Sequence, residues 1–253
     1  MADYAADSSG TVFASGGPLV ANHLKAIAIS LMFVDHFAVV FLPPESLLRA
    51  GLRFLGRIVA PIICFLIAEG YFHTSDKRKY VLRLLVFALV SHFPFVAAMG
   101  YGIFQATSVM WALAMGLLAL AALKSGRLHV ALKPVAVLAC CAAAYTANWN
   151  FVAVLWIAAF GLFRGSLARQ IAAFCVVGAV CHLLPAFLRF ALHPGGVPPF
   201  YQVGIFLAIP LLAAYNGRLG KKSRAKAMFF YVFYPAHLLL LFVLAKVMAG
   251  AAA

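Results

Sequence analysis

From Leu24 to Met248 the chain is a succession of apolar runs, most of them long enough to cross the roughly 30 Å hydrocarbon core of a bilayer as a helix. No other feature of the sequence limits its fold so tightly. Backbone polar groups in lipid must be satisfied within their own segment, so such a chain folds as a helical bundle. Nine spans are expected, at about 24–42, 52–72, 80–99, 108–123, 130–147, 149–163, 169–192, 199–216 and 227–248. Only "TANW" separates the fifth from the sixth, so this pair is either a tight hairpin or re-entrant. Charged residues make up 10% of the chain, against roughly 25% in a soluble domain. The expected fold is therefore an all-α polytopic membrane protein, with one transmembrane domain over 22–253. Residues 1–21 lack a cationic n-region and read as a polar tail, not a cleaved signal peptide.

The net charge of +14 invites a nucleic-acid partner, but the cations sit between apolar runs, where membrane topology places them. Lys77, Arg78, Lys79 and Arg83 follow span 2; Lys124, Arg127 and Lys133 follow span 4. Arg164 and Arg169 follow span 6, and Arg218, Lys221, Lys222, Arg224 and Lys226 follow span 8. The alternate segments "GYGIFQA" and "TANW" carry no cation. By the positive-inside rule the N-terminus is cytoplasmic and the C-terminus outside. The five cysteines lie in apolar runs without a CxxC pair and read as small hydrophobes, so no metal site is expected.

Orientation converts sequence position into depth at 1.5 Å per residue. "LMFVDHFAVVF" then places Asp35 and His36 just past the midplane of span 1. Arg53 and Arg57 lie below the outer edge of span 2, four apart on one helix face, with Arg57 near the level of Asp35. His92 of "SHFPF" and His237 of "FYPAHLLL" reach a similar layer. Glu69 sits at the inner end of span 2 beside His73 and Thr74. A buried Asp–Arg pair can simply hold helices in register, and a histidine in an apolar span can be a satisfied packing residue. Convergence of several ionisable groups on one layer favours a functional reading.

"LKAIAISLMFVDHF", "FLGRIVAPIICFLIAEGYFHTSDKRKYVLRLLVFALVSHFPF" and "AAYNGRLGKKSRAKAMFFYVFYPAHLLLL" resemble successive blocks of the TraX family. These are bacterial inner-membrane proteins whose namesake acetylates the N-terminus of conjugative F pilin. The resemblance runs from Leu24 to Leu241. It marks Asp35, His36, Gly56, Arg57, Pro61, Glu69, Gly70, His73, Thr74, Tyr80, Arg83, Tyr234, Pro235 and His237. Three positions depart from the pattern: acids are common in the family where this chain has His92, at Val96 just after the Pro-Phe that follows, and at Asn148 before Trp149.

The resemblance implies a multi-pass inner-membrane acetyltransferase that moves acetyl from cytoplasmic acetyl-CoA to a pilin amine outside. On that reading His36 is the expected base, with His237 second, Asp35 an orienting group and Arg57 an oxyanion partner. Arg53, Glu69, His73, Thr74, Lys77, Arg78, Lys79, Tyr80, Arg83, Lys221, Lys222, Arg224 and Tyr234 are the expected acetyl-CoA contacts. The expected partners are the lipid bilayer and pilin, not nucleic acid. The alternatives are an acyltransferase for a lipid or glycan, a proton-coupled transporter using Asp35, His36, His92 and Glu69, and a non-catalytic pilus-assembly factor. The last would tolerate loss of His36.

Overall fold

A computed structural model describes residues 4–6, 12–14, 17–193, 197–221 and 224–251 of the protein, with side chains for 17–193, 197–221 and 228–250. The helices run in order α1 (Ala21–Phe41), α2 (Leu47–Gly56), α3 (Val59–His73), α4 (Lys77–Met99), α5 (Val109–Leu123), α6 (Leu132–Ala143) and α7 (Asn150–Leu162). They continue with α8 (Leu167–Val177), a π-helical turn (Gly178–Leu183), α9 (Leu184–Leu192), a 3-10 helix (Pro199–Leu207), α10 (Ala208–Ala213) and α11 (Arg224–Ala251). Each of the nine expected apolar segments coincides with one helical stretch. Five of these, Ala21–Phe41, Leu47–His73, Lys77–Met99, Leu167–Leu192 and Met228–Gly250, are long and apolar enough to cross a membrane. The chain is a multi-pass membrane protein whose apolar segments are all helical.

The remaining four segments are shorter. α6 and α7 have 12 and 13 residues, or roughly 18–20 Å each, well under a full hydrocarbon core. They differ sharply in environment. α6 buries no residue, whereas α7 buries eight and packs between α3 and α5. Lipid offers no hydrophobic drive for helices to associate, so close contact of small residues must supply the attraction. α5 and α7 meet this need with "ALAMGLLALAA" and "NFVAVLWIAAFGL", and theirs is the most extensive helix pairing among the described residues.

Expected span 2 is not one continuous helix. α2 ends at Gly56, and Arg57 and Ile58 form a tight turn before α3 begins. Pro61 explains the break: it has no N–H to offer the carbonyl of Arg57, four residues back, and its ring crowds that carbonyl. Pro185 stands likewise just after the π-helical turn and has no N–H for the carbonyl of Cys181.

The expected polar tail is partly structured. Tyr4–Ala6 pairs antiparallel with Val12–Ala14, with Tyr4 opposite Ala14, and α1 already begins at Ala21. The aromatic and β-branched residues Tyr4, Val12 and Phe13 suit extended backbone.

Long-range contacts define two ends of the bundle. At one, Arg164 bonds Glu69 and lies over Phe72, Lys124 lies over the same ring, and Asn22 donates to the carbonyl of Lys221. At the other, Thr107 pairs with Ala147, and Arg57 lies over Trp149 and Tyr201. The first is the cation-rich end. There Asp76 caps α4 by accepting the Lys79 N–H at 2.9 Å, and this bond holds its carboxyl below the usual carboxylate range. The cap therefore stabilises α4 above the ordinary carboxylate pKa and is lost as pH falls through the lowered one. Protection of the Lys79 amide, taken as its exchange relative to the intrinsic rate at each pH, is expected to fall on acidification, and an Asp76→Asn variant should lack that acid-dependent step.

Candidate functional site

A cavity of about 680 Å³ runs between α1, α2, α3, α4, α5 and α11. Its wall on α1 is one helix face: Ala21, Lys25, Ile29, Met32, His36 and Val39, at spacings of three and four. Ala21 and Val39 are eighteen residues apart, roughly 27 Å at the helical rise, so the cavity follows nearly the whole span. α3 contributes a matching face through Ala60, Ile63, Ile67 and Gly70, and Thr74 follows at its C-terminal end. The middle is lined by apolar side chains and the two ends by charged ones.

His36 lies along this wall, buried, with its Nδ1 2.7 Å from Nε2 of His237 on α11. His237 Nδ1 lies 2.8 Å from the backbone carbonyl of Phe233. A carbonyl only accepts, so His237 carries its proton on Nδ1 and, in a neutral pair, accepts on Nε2. His36 must then donate from Nδ1. Its Nε2 is left unprotonated, as a base or nucleophile requires. Two imidazoles and a carbonyl thus fix one tautomer. The proline of "FYPAH" belongs to the arrangement, since it frees the carbonyl of Tyr231 and loosens the turn in which His237 reaches back to Phe233.

Asp35, next to His36 but turned about 100° round the helix, takes no part in setting that tautomer. Its two oxygens each accept from Arg57 at 3.1 Å, and Arg53 Nε approaches Oδ1 at 3.5 Å. Gly56 makes the approach possible. A Cβ there would lie 2.6 Å from Oδ1 and 2.7 Å from Cγ of Asp35, leaving no room for a methyl group. Gly56→Ala is expected to cost about 1–3 kcal/mol by displacing Asp35, which thermal unfolding in detergent checks.

At the cation-rich end Glu69 is buried and bonded to Arg164 at 3.0 Å and to His73 at 3.5 Å. Lys25, Arg83, Thr74 and Tyr80 line the cavity beside it, and Arg83 lies over the rings of Tyr80 and Tyr231.

Of the residues singled out from sequence, Asp35, His36, Arg53, Arg57, Glu69, His73, Thr74, Tyr80, Arg83 and Tyr234 line the cavity, and His237 bonds to His36. Several placements differ from expectation. Arg53 lies with Asp35, far from the cation-rich end where donor phosphates were expected. Lys77, Arg78, Lys79 and Lys221 are exposed and do not line the cavity: Lys77 lies over Tyr71, and Lys79 pairs with Asp76. His92 does not join the buried layer either. The inward face of α4 is Leu84, Ala88, Ser91 and Phe95, and His92, one residue past Ser91, is turned off it and meets Phe93. Lys222 and the side chain of Arg224 lie outside the described residues.

Sequence reasoning missed Lys25, Arg49, Asn148 and Trp149 as cavity-lining residues and Arg164 as the partner of Glu69. For Lys25 a signal existed: it shares the three-and-four periodicity of the His36 face.

No solved structure matches the chain significantly. The chain is similar to the probable fimbrial assembly protein FimC, serogroup H1, of Dichelobacter nodosus, at 32% identity over 231 residues, covering 87% of this chain and 93% of the relative. The family described as TraX protein matches residues 21–245. That match takes in both histidines, both ends of the cavity and nearly all of α1 through α11, and the chain belongs to the TraX family.

Proposed function

We propose that the protein is a membrane-embedded acetyltransferase that accepts acetyl from cytoplasmic acetyl-CoA and delivers it to an amine on the outer side of the inner membrane, the N-terminal amine of a pilin. One observation carries this reading: a cavity follows nearly the whole of α1, with the free Nε2 of a tautomer-fixed histidine along it and charged groups at both ends. The positive-inside rule puts the cation-rich end in the cytoplasm. There Lys25, Arg83 and His73 suit the phosphates of CoA, because the one carboxylate among them, Glu69, is already engaged by Arg164 and His73. Lys25 and His36 are eleven residues apart on one helix, roughly 16 Å, a distance the apolar mid-cavity gives to the pantetheine arm.

The chemistry follows from the proton arrangement. His36 Nε2 takes the proton of an ammonium or amine acceptor, whose ordinary pKa of roughly 7.7–8.0 is close enough for imidazole to serve. Where the acceptor is an ammonium, that first proton passes on to solvent. The nitrogen lone pair then forms the C–N bond to the acetyl carbonyl carbon, and a second N–H proton goes to His36 Nε2. As the C–S bond breaks, that proton is returned to the sulfur, so that CoA leaves as the thiol. Arg57, held by Asp35, faces the oxygen that becomes negative. His237 positions His36 and disperses the positive charge that develops on it.

The fimbrial assembly role in the name of the Dichelobacter relative supports a pilin acceptor and equally suits a non-catalytic assembly factor. Intact-mass analysis of the host's pilins with and without this gene separates the two. A pilin lighter by one acetyl group in the deletion strain supports transfer, and unchanged masses with defective pili support assembly alone.

A further inference from the structure

The end of the cavity remote from the cation-rich loops is itself unbalanced in charge. Arg49, Arg53 and Arg57 line it, and Asp35 is the single carboxylate among its lining residues. Asp35 is used up on two of the three. Arg49 makes its hydrogen bond to the backbone carbonyl of Leu42, which compensates no charge. The Nε atoms of Arg53 and Arg57 are buried without a hydrogen-bond acceptor. Tyr201 covers the flat face of both guanidinium groups, at 4.7 and 5.6 Å, and Trp149 covers Arg57 at 5.2 Å. Stacking of that kind occupies the faces and leaves the N–H edges for an in-plane acceptor. Cationic donors left unmatched in a low-dielectric recess are costly, and an anion placed among them removes the penalty.

We infer that this end of the cavity is a carboxylate-binding subsite for the acceptor, and that the preferred acceptor is a peptide with an acidic side chain within a few residues of its reactive amine. The inference rests on the proposed transfer reaction for the identity of the ligand, and on the Arg49–Arg53–Arg57 geometry for its charge. The acidic side chain bridges the Arg49 and Arg53 edges, which directs the amine toward His36 one turn below. Asn148, which lines the same end beside Trp149, contributes no charge of its own.

The test uses full-length protein in nanodiscs of phosphatidylcholine and two synthetic apolar peptides, identical except for one Glu or Gln within the first five residues. Acetyl transfer from acetyl-CoA is read by mass, and binding is read independently as the shift in melting temperature. The Glu peptide is expected to show about tenfold higher kcat/KM, chiefly through KM, and a larger thermal shift. Arg49→Gln and Arg53→Gln should each shrink the Glu/Gln preference to within about twofold. Asn148→Asp should narrow it as well, by supplying the missing negative charge. Equal behaviour of the two peptides in both readouts overturns the inference. A Glu-dependent thermal shift without acetylation of either peptide upholds the subsite and counts against acetyl transfer. A preference that vanishes when phosphatidylglycerol replaces phosphatidylcholine assigns the arginines to a lipid phosphate and overturns the peptide reading.

Discussion

Replacing His36 with alanine is expected to lower acetyl transfer by about 10²–10⁴-fold while leaving the melting temperature within a few degrees of the parent. The asymmetry follows from where the side chain sits. It lies against a cavity, so its removal extends existing space and does not open a void in close packing, and its one hydrogen bond is to His237. His237→Ala should lose less turnover, since it removes the group that orients the base and leaves the base itself. The double variant should be no slower than His36→Ala alone, because residues acting as one unit are not additive. A His36→Ala protein with unchanged turnover would move the chemistry elsewhere in the cavity. Additive losses would mean that the two imidazoles act separately.

Removing Asp35 should act chiefly on stability. Asp35→Ala leaves the two guanidinium groups of Arg53 and Arg57 buried beside each other without their counter-ion, and breaking a buried pair in this way costs about 3–5 kcal/mol. In a chain of this size the melting temperature falls on the order of 10 °C. Asp35→Asn keeps the shape but not the charge and should be nearly as damaging. Adding Arg57→Leu to Asp35→Ala removes one stranded charge and should recover part of the loss. Thermal unfolding of the three variants in one detergent checks the order. A single variant as stable as the parent would show that water reaches these arginines freely and that the pair does not hold α1 to α2.

Both expectations draw on features that were partly legible before any coordinates. Apolar length located all nine helical segments, because the cost of unsatisfied backbone in lipid leaves a chain little choice. Depth counting brought Asp35 to Arg57 and His36 toward His237, because helices crossing one bilayer share one ruler, whichever way they run. It did not show that span 2 is interrupted at Arg57–Ile58, although the Arg57 N–H still bonds the Arg53 carbonyl and both arginines reach Asp35 from one face, as their spacing predicts. Rotation was the other weak point. His92 has the right depth and the wrong azimuth, which a neighbour's position decides and a hydropathy profile does not carry. The Glu69–Arg164 pair was hidden for a third reason: its partners are 95 residues apart, and topology alone already accounted for a cation after the sixth span. The exposed Lys77–Lys79 run shows the converse, a charge cluster that topology explains and the cavity does not use.

The central claim is that acetyl crosses the membrane through one protein cavity. Sealed proteoliposomes test it, with isotope-labelled acetyl-CoA added outside and an amine-bearing acceptor peptide enclosed in the lumen. The account predicts label on the enclosed peptide while unlabelled CoA accumulates outside, and loss of both signals in His36→Ala. Label appearing only when donor and acceptor share a compartment would contradict it.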